Sequence, residues 1–210
     1  MKPTAIASGL LVCLLLLGCS SEERRHTEQE GPLSLLEPSQ GLTSVVIDDE
    51  DSGSATFGSY LPCIFDDFDD SEITLTDVRP HFEFGNEEFD LTIRRFDRGS
   101  RRDLPPFSIT SMKGTPYEPE DQSAEDVGND LEEFSELTTT KTCADAAEDS
   151  AVTELMMTFH SDGEGVIVHG FEVDYVTQDD DEYTYYSELY MVLCGSEVDV
   201  VDEDDVCNHQ

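Results

Sequence analysis

The chain has no tryptophan and few basic side chains: among 210 residues, Lys and Arg together number 11 against 49 Asp and Glu, a formal net charge of −38. An excess of acid on this scale argues against nucleic acid or an anionic membrane surface as a direct partner. It favours solubility, divalent cations, basic partners or a salty habitat. The motifs of common hydrolases and nucleotide enzymes are also missing: there is no His-Glu-x-x-His, no Gly-x-Ser-x-Gly and no phosphate-cradling glycine loop. His160-Ser161-Asp162 has the residue types of a catalytic triad, but neighbours on a strand point to opposite faces and do not relay a proton. The expectation is a protein that is not an enzyme.

What is present is alternation. Hydrophobic residues make up 37% of the chain, and they fall largely in period-two runs, which suits an acidic, solvated β-domain better than a disordered chain. The length fits one domain with flexible ends. Residues 1–18 carry one charge, Lys2, followed by an apolar run from Leu10 to Leu17 that ends Leu16-Leu17-Gly18-Cys19. That run is too short for a permanent membrane span and reads as a removable signal. The ending resembles the lipobox of bacterial lipoproteins, which implies a lipidated Cys19 and, with Ser20 after it, an outer-membrane location facing the periplasm or the outside. Removing residues 1–18 leaves ten bases against the 49 acids. Residues 19–42 are polar and punctuated by Gly31, Pro32, Pro38 and Gly41, the composition of a flexible tether. Leu33, Leu35 and Leu36 allow a short docking turn instead.

From Thr43 the pattern becomes that of strands. Val45 and Ile47 suggest the first. Ala55, Phe57 and Tyr60 lead to Cys63, and Ile73, Leu75 and Phe82 follow. Phe107, Ile109 and Met112 continue a sheet, residues 114–129 read as a Pro- and acid-rich loop, and Leu131, Phe134 and Leu137 fit a helical turn or a short strand equally. Leu155, Met157 and Phe159 share one face, as do Phe171, Val173 and Tyr175 beyond the sharp turn Ser161-Asp162-Gly163-Glu164-Gly165. The run 183–193 reads as one more strand. Folding it back antiparallel on residues 166–176 about the turn at 179–181 places Leu193 opposite Val166.

Phe159-x-Ser161-Asp162, then Gly170-Phe171 and Tyr175, resembles the motif that closes a CUB domain. Cys63, Glu87-Glu88-Phe89-Asp90 and Cys143 resemble that family's second, third and fourth cysteine regions, although Glu87 stands where the third cysteine belongs and the first has no counterpart. The likeness covers roughly residues 45–176. It implies an all-β fold, a CUB-like jelly-roll β-sandwich of two antiparallel sheets, here spanning residues 43–176. Residues 177–210 would add a C-terminal strand and an acidic extension packed on the domain.

The resemblance also implies a calcium site at Glu83, Asp90 and Asp162, hard oxygen ligands of the kind Ca²⁺ requires, with Glu83 one residue out of the family's spacing. Other acidic loops fit a cation less well. Asp48, Glu50, Ser52 and Gly53 imitate half an EF-hand loop whose twelfth position is Ser59, and Asp66, Asp67, Asp69 and Asp70 read as surface charge. In an oxidising compartment Cys63, Cys143, Cys194 and Cys207 form two bridges. With the family's third cysteine replaced, the resemblance implies that Cys194 takes its role and pairs with Cys143, leaving Cys63 for Cys207. The alternative is a local Cys194–Cys207 loop with Cys63 joined to Cys143. Arg94, Arg95, Arg98, Arg101 and Arg102 cluster in residues 94–102, either as a docking patch for an anionic glycan or acidic loop, or as neutralisers of the molecule's own carboxylates. His169 reads as a packed or surface histidine. The functional expectation is a lipid-anchored, calcium-stabilised envelope module that binds a protein or glycan and touches the membrane only through its anchor. A non-catalytic accessory subunit of a secreted hydrolase and a structural envelope lipoprotein are the alternatives.

Overall fold

A computed structural model describes residues 31–36, 42–47, 52–69, 71–97, 111–118, 130–198 and 207. Eleven strands and one short helix are described in the order β1 (Leu33–Leu36), β2 (Leu42–Val46), β3 (Gly53–Ile64), β4 (Ile73–Phe84), β5 (Phe89–Asp97), β6 (Ser111–Lys113), β7 (Asp130–Glu133), β8 (Leu137–Thr139), α1 (Cys143–Glu148), β9 (Ala151–Ser161), β10 (Val166–Thr177) and β11 (Glu182–Cys194). They form two packed sheets, an all-β sandwich of jelly-roll type. The first runs β1-β3-β9-β5-β7 with β6 also on β3, and the second runs β2-β11-β10-β4-β8.

Alternation explains the packing. Phe57, Leu155, Met157 and Phe159 of the first sheet meet Leu75, Phe171, Val173, Tyr175 and Met191 of the second in one buried cluster. Its rings interlock: Tyr60 meets Phe171 edge-on with centroids 5.1 Å apart, and Phe82 meets Phe159 at 5.7 Å. Each such side chain taken from water contributes about 1.5–3 kcal/mol. Two irregularities keep the pattern in phase. Ser59, at φ 71°, shifts the β3–β9 register so that Tyr60 points inward, and Gly170, at φ 80°, does the same on β10 between His169 and Phe171.

The hairpin register is the one read from the sequence: Val166 lies opposite Leu193 and Tyr175 opposite Tyr183. The added strand β11 is not peripheral, however. It sits inside the second sheet between β10 and β2, and it pairs with β2 in parallel, Val45 opposite Leu193, so that sheet is mixed and not purely antiparallel. The ambiguous stretch around Leu131 and Leu137 resolves into two strands in different sheets, β7 on β5 and β8 on β4.

Two expectations need correction, and one element was not foreseen. The tether reading of residues 19–42 fails where Leu33 and Leu35 alternate inward: β1 pairs antiparallel with β3, Leu33 is fully buried, and its N–H donates to Tyr175 Oη at 3.4 Å. Two leucines at period two outweigh the polar residues around them. The helix α1, capped by Thr142, whose side chain accepts from Asp145 N at 3.1 Å, was not foreseen in the run before β9.

The disulfides are Cys63–Cys143 and Cys194–Cys207, not the crossed pairs. Cys194 does return to the end of the sandwich that carries the 161–165 turn, as Gly195 packs against Gly165 and Ser196 N donates to Gly163 O. Cys143 lies at the other end of β9, where Ile64 N donates to Lys141 O. An eleven-residue strand separates the two ends, a span of about 35 Å, and no disulfide bridges that distance. Cys19 and residues 1–18 lie outside the described residues, as do Phe107 and Ile109.

Candidate ligand cleft

On β5 and β9, the residues that alternate with the core face away from the second sheet. Asp90 and Thr92 stand on β5, with Thr158 and His160 on β9, and Asp90 is the cross-strand partner of Thr158. Beside them the chain returns twice, at Thr115-Pro116-Tyr117 after β6 and at Glu133-Phe134 at the end of β7. Together these residues except His160, with Phe89 and Leu91, line a cleft of about 550 Å³. Tyr117 is 58% exposed at its rim. The cleft carries the carboxylates of Asp90 and Glu133 and the hydroxyls of three threonines, and none of the described residues lining it is basic.

A hydrogen bond of 2.8 Å from His160 Nε2 to Asp90 Oδ2 joins this cleft to a second, more open one of about 430 Å³, where Asn86, Glu88, His160 and Asp162 meet. The turn between them is built by Ser161. Its buried Oγ accepts from Gly163 N at 3.1 Å and from Gly165 N at 3.0 Å, which satisfies two donors of a tight turn. Asp162 Oδ1 accepts from Glu164 N at 3.3 Å. His160, Ser161 and Asp162 thus serve three different partners.

Of the expected calcium ligands, Asp90 lies on β5 of the first sheet, Glu83 is exposed on β4 of the second, and Asp162 is in the turn. Among the described residues no group of three or more His, Cys, Asp or Glu stands close enough to hold a metal ion. As placed, the three do not form a coordination shell. Asp66, Asp67 and Asp69 are exposed, while Asp48, Glu50 and Asp70 lie outside the described residues.

The arginine patch divides. Arg94 is a correction: it is 2% exposed, and its Nε and Nη2 both donate to Glu154 Oε2, itself 1% exposed. Glu154 Oε1 accepts from Ser59 N at 2.5 Å, and the Arg94 guanidinium lies 4.7 Å from the Phe96 ring centre. Arg95 is exposed and pairs with Glu132 at 2.7 Å. The hydrogen bond from Arg95 holds the Glu132 carboxyl below its ordinary range, and Glu132 raises Arg95 in turn. Both arginines therefore serve the molecule's own carboxylates, whereas Arg98, Arg101 and Arg102 lie outside the described residues. The sequence reading passed over Tyr117, Glu133 and Glu154. The first two sit in stretches read as loop or as an undecided element, where only an exposed aromatic beside acidic residues offered a signal.

Compared with known proteins, the chain matches no family model, no curated protein and no solved structure.

Proposed function

We propose that this chain is a binding module of the bacterial envelope, anchored through a lipidated Cys19, whose recognition surface is the cleft formed by Asp90, Tyr117 and Glu133. One observation carries the reading: an open, aromatic-rimmed cleft lined by two carboxylates and by no basic side chain among its described residues. Such a lining attracts a Lys or Arg side chain of a partner protein, the carboxylates by charge and Tyr117 by its ring face. The charge of the whole chain steers a basic partner toward it. Clefts that are largely apolar with a few polar groups are the usual form of a binding site.

The test is capture from envelope extract on the full chain carrying Cys19→Ser, compared with the same chain carrying Asp90→Asn and Glu133→Gln. Partners rich in exposed Lys and Arg should be retained by the first and lost from the second; identical partners on both would sink the proposal. Repeating the capture with a chelator tests whether calcium at Glu83, Asp90 and Asp162 is a condition of binding. Cys19→Ser itself should move the protein from the membrane to the soluble fraction, because the lipid chains supply the membrane affinity.

A further inference from the structure

The second sheet ends on an edge that is only partly covered. β4 has 12 residues, whereas β8, its partner on the side away from β10, has 3 and reaches only from Ile73 to Leu75. Along β4, Thr76 and Glu83 are extra residues in the register with β10. Between these two bulged positions, residues 77–82 run as regular strand for about 20 Å, and among the described residues no segment pairs with them on the outer side. The N–H and C=O groups on that side of a strand are obligatory hydrogen-bonding groups, here left to solvent or to a partner.

The side chains of this edge say what fits it. Inward it carries Val78, which is buried, then Pro80 and Phe82, which are partly buried, with Phe82 edge-on to Phe159 of the core. Outward it carries Asp77, Arg79 and His81. Three carboxylates, Asp77, Asp174 and Glu172, gather around the single Arg79 guanidinium, and Glu83 is exposed just beyond. The surplus is negative. A second copy of the chain does not suit the edge: antiparallel pairing about its middle sets Arg79 against Arg79 or Pro80 against Pro80, and two chains of net charge −38 repel. A charged residue and a proline without an N–H are the usual guards of an edge against its own kind. They leave room for a strand of other composition.

We propose that residues 77–82 of β4 form a docking edge for an extended, basic segment of a partner protein, which joins the second sheet as an added strand. In this mode main-chain hydrogen bonds supply affinity and alternate side chains supply selection. The apolar side chains of such a segment extend the core over Pro80 and Phe82, and its Lys or Arg side chains meet Asp77 and Glu83. The edge is separate from the Asp90 cleft, since β4 belongs to the second sheet and the cleft to β5 and β9 of the first. The two readings therefore stand or fall apart.

The probe is the peptide Lys-Val-Thr-Val-Thr-Val-Lys, which reads the same in both directions and so serves a parallel or an antiparallel strand. It is titrated into the full chain carrying Cys19→Ser and followed by amide NMR shifts, which should centre on residues 77–82. Neighbours along a strand point their N–H groups to opposite edges. Of two peptides N-methylated on alternate residues, the one whose methyls face β4 should therefore lose binding, and the other should stay within about threefold. Asp77→Lys/Glu83→Lys should weaken the Lys-ended peptide at least about threefold and bind its Glu-ended counterpart better. If that variant does not fold, the pair of methylated peptides on the Cys19→Ser chain carries the test. Asp90→Asn/Glu133→Gln, which disables the cleft proposed above, should leave peptide binding unchanged. Shifts confined to the Asp90 cleft would overturn the edge and support the cleft. Absence of shifts at residues 77–82 with millimolar peptide, equal effects of the two methylation patterns, or a folded charge-reversed chain that still prefers the Lys-ended peptide would overturn the proposal.

Discussion

Arg94 on β5 and Arg79 on β4 occupy corresponding places in the two sheets. Each faces away from the space between the sheets, and each has a glutamate as its cross-strand partner, Glu154 for Arg94 and Glu172 for Arg79. Arg94 and Glu154 are nearly inaccessible, at 2% and 1% exposure, beside Met156 and the hydrogen-bonded pair Thr56 and Thr158. Arg79 is 43% exposed and shares its guanidinium among Asp77, Asp174 and Glu172. Around Arg94 the outer face of the first sheet is thus a second interior, whereas around Arg79 the outer face of the second is a solvated surface. The same side chains in the same strand pattern carry different energies according to whether water reaches them. Desolvated charges are costly unless fully paired, and Arg94 Nη1 is buried with no hydrogen-bond partner. Exposed pairs are screened and individually weak.

The disulfides extend the contrast and give the largest expected effects. Cys63–Cys143 fastens β3 to α1 across a separation of 80 residues, and Cys194–Cys207 closes 13 on the face of the second sheet. Chain-entropy arithmetic assigns about 4.5 kcal/mol to the first loop and about 3 kcal/mol to the second. Urea unfolding of Cys63→Ala/Cys143→Ala against Cys194→Ala/Cys207→Ala should reproduce that order; the reverse order would show that the C-terminal fastening matters more than its loop length.

Next comes Glu154→Ala, expected to cost about 3–5 kcal/mol because it leaves the Arg94 charge buried and the Ser59 N–H without its acceptor. The double variant Arg94→Met/Glu154→Leu should recover most of that loss, since an apolar pair of similar volume removes the desolvation cost. A loss below about 1 kcal/mol for Glu154→Ala in urea titration would place the pair on the same footing as the exposed one.

Arg79→Ala is the small effect, at most about 1 kcal/mol, and it should shrink further in high salt. Its pH signature is specific. The hydrogen bonds from Arg79 hold the Asp174 carboxyl below its ordinary range, with Thr184 assisting. A carboxyl lowered in the folded state contributes stability that is complete above its unfolded value, about 3.9, and that disappears as pH falls through the folded value. Thermal melts of wild type and Arg79→Ala should therefore differ at pH 6 and converge near pH 2. A gap that persists at pH 2 would mean that Arg79 acts by packing its stem and not by charge.

The strands most legible in the sequence are those with uninterrupted alternation. Leu155, Met157 and Phe159, and Phe171, Val173 and Tyr175, all face the core as read, and turn length sets the β10–β11 register beside the turn, which the bulge at Gly170 then shifts by one residue to bring Leu193 opposite Val166. Less was legible at the cleft. Asp90 could be singled out, but Tyr117 and Glu133 reach it from separate connections, and no local pattern announces that they meet.

By itself, then, the sequence determined the all-β character, the inward faces of the long strands and the overwhelming negative charge, because alternation and composition are properties of neighbours along the chain. Which cysteines pair, where Leu33 and Leu35 dock, and that Arg94 is buried while Arg79 is not were decided only by tertiary structure. Each depends on what another segment brings to the same place: Tyr175 to Leu33 from 142 residues away, Glu154 to Ser59 from 95. The free energy of a charge or a ring is set by the solvent and the partners left to it once those segments have met.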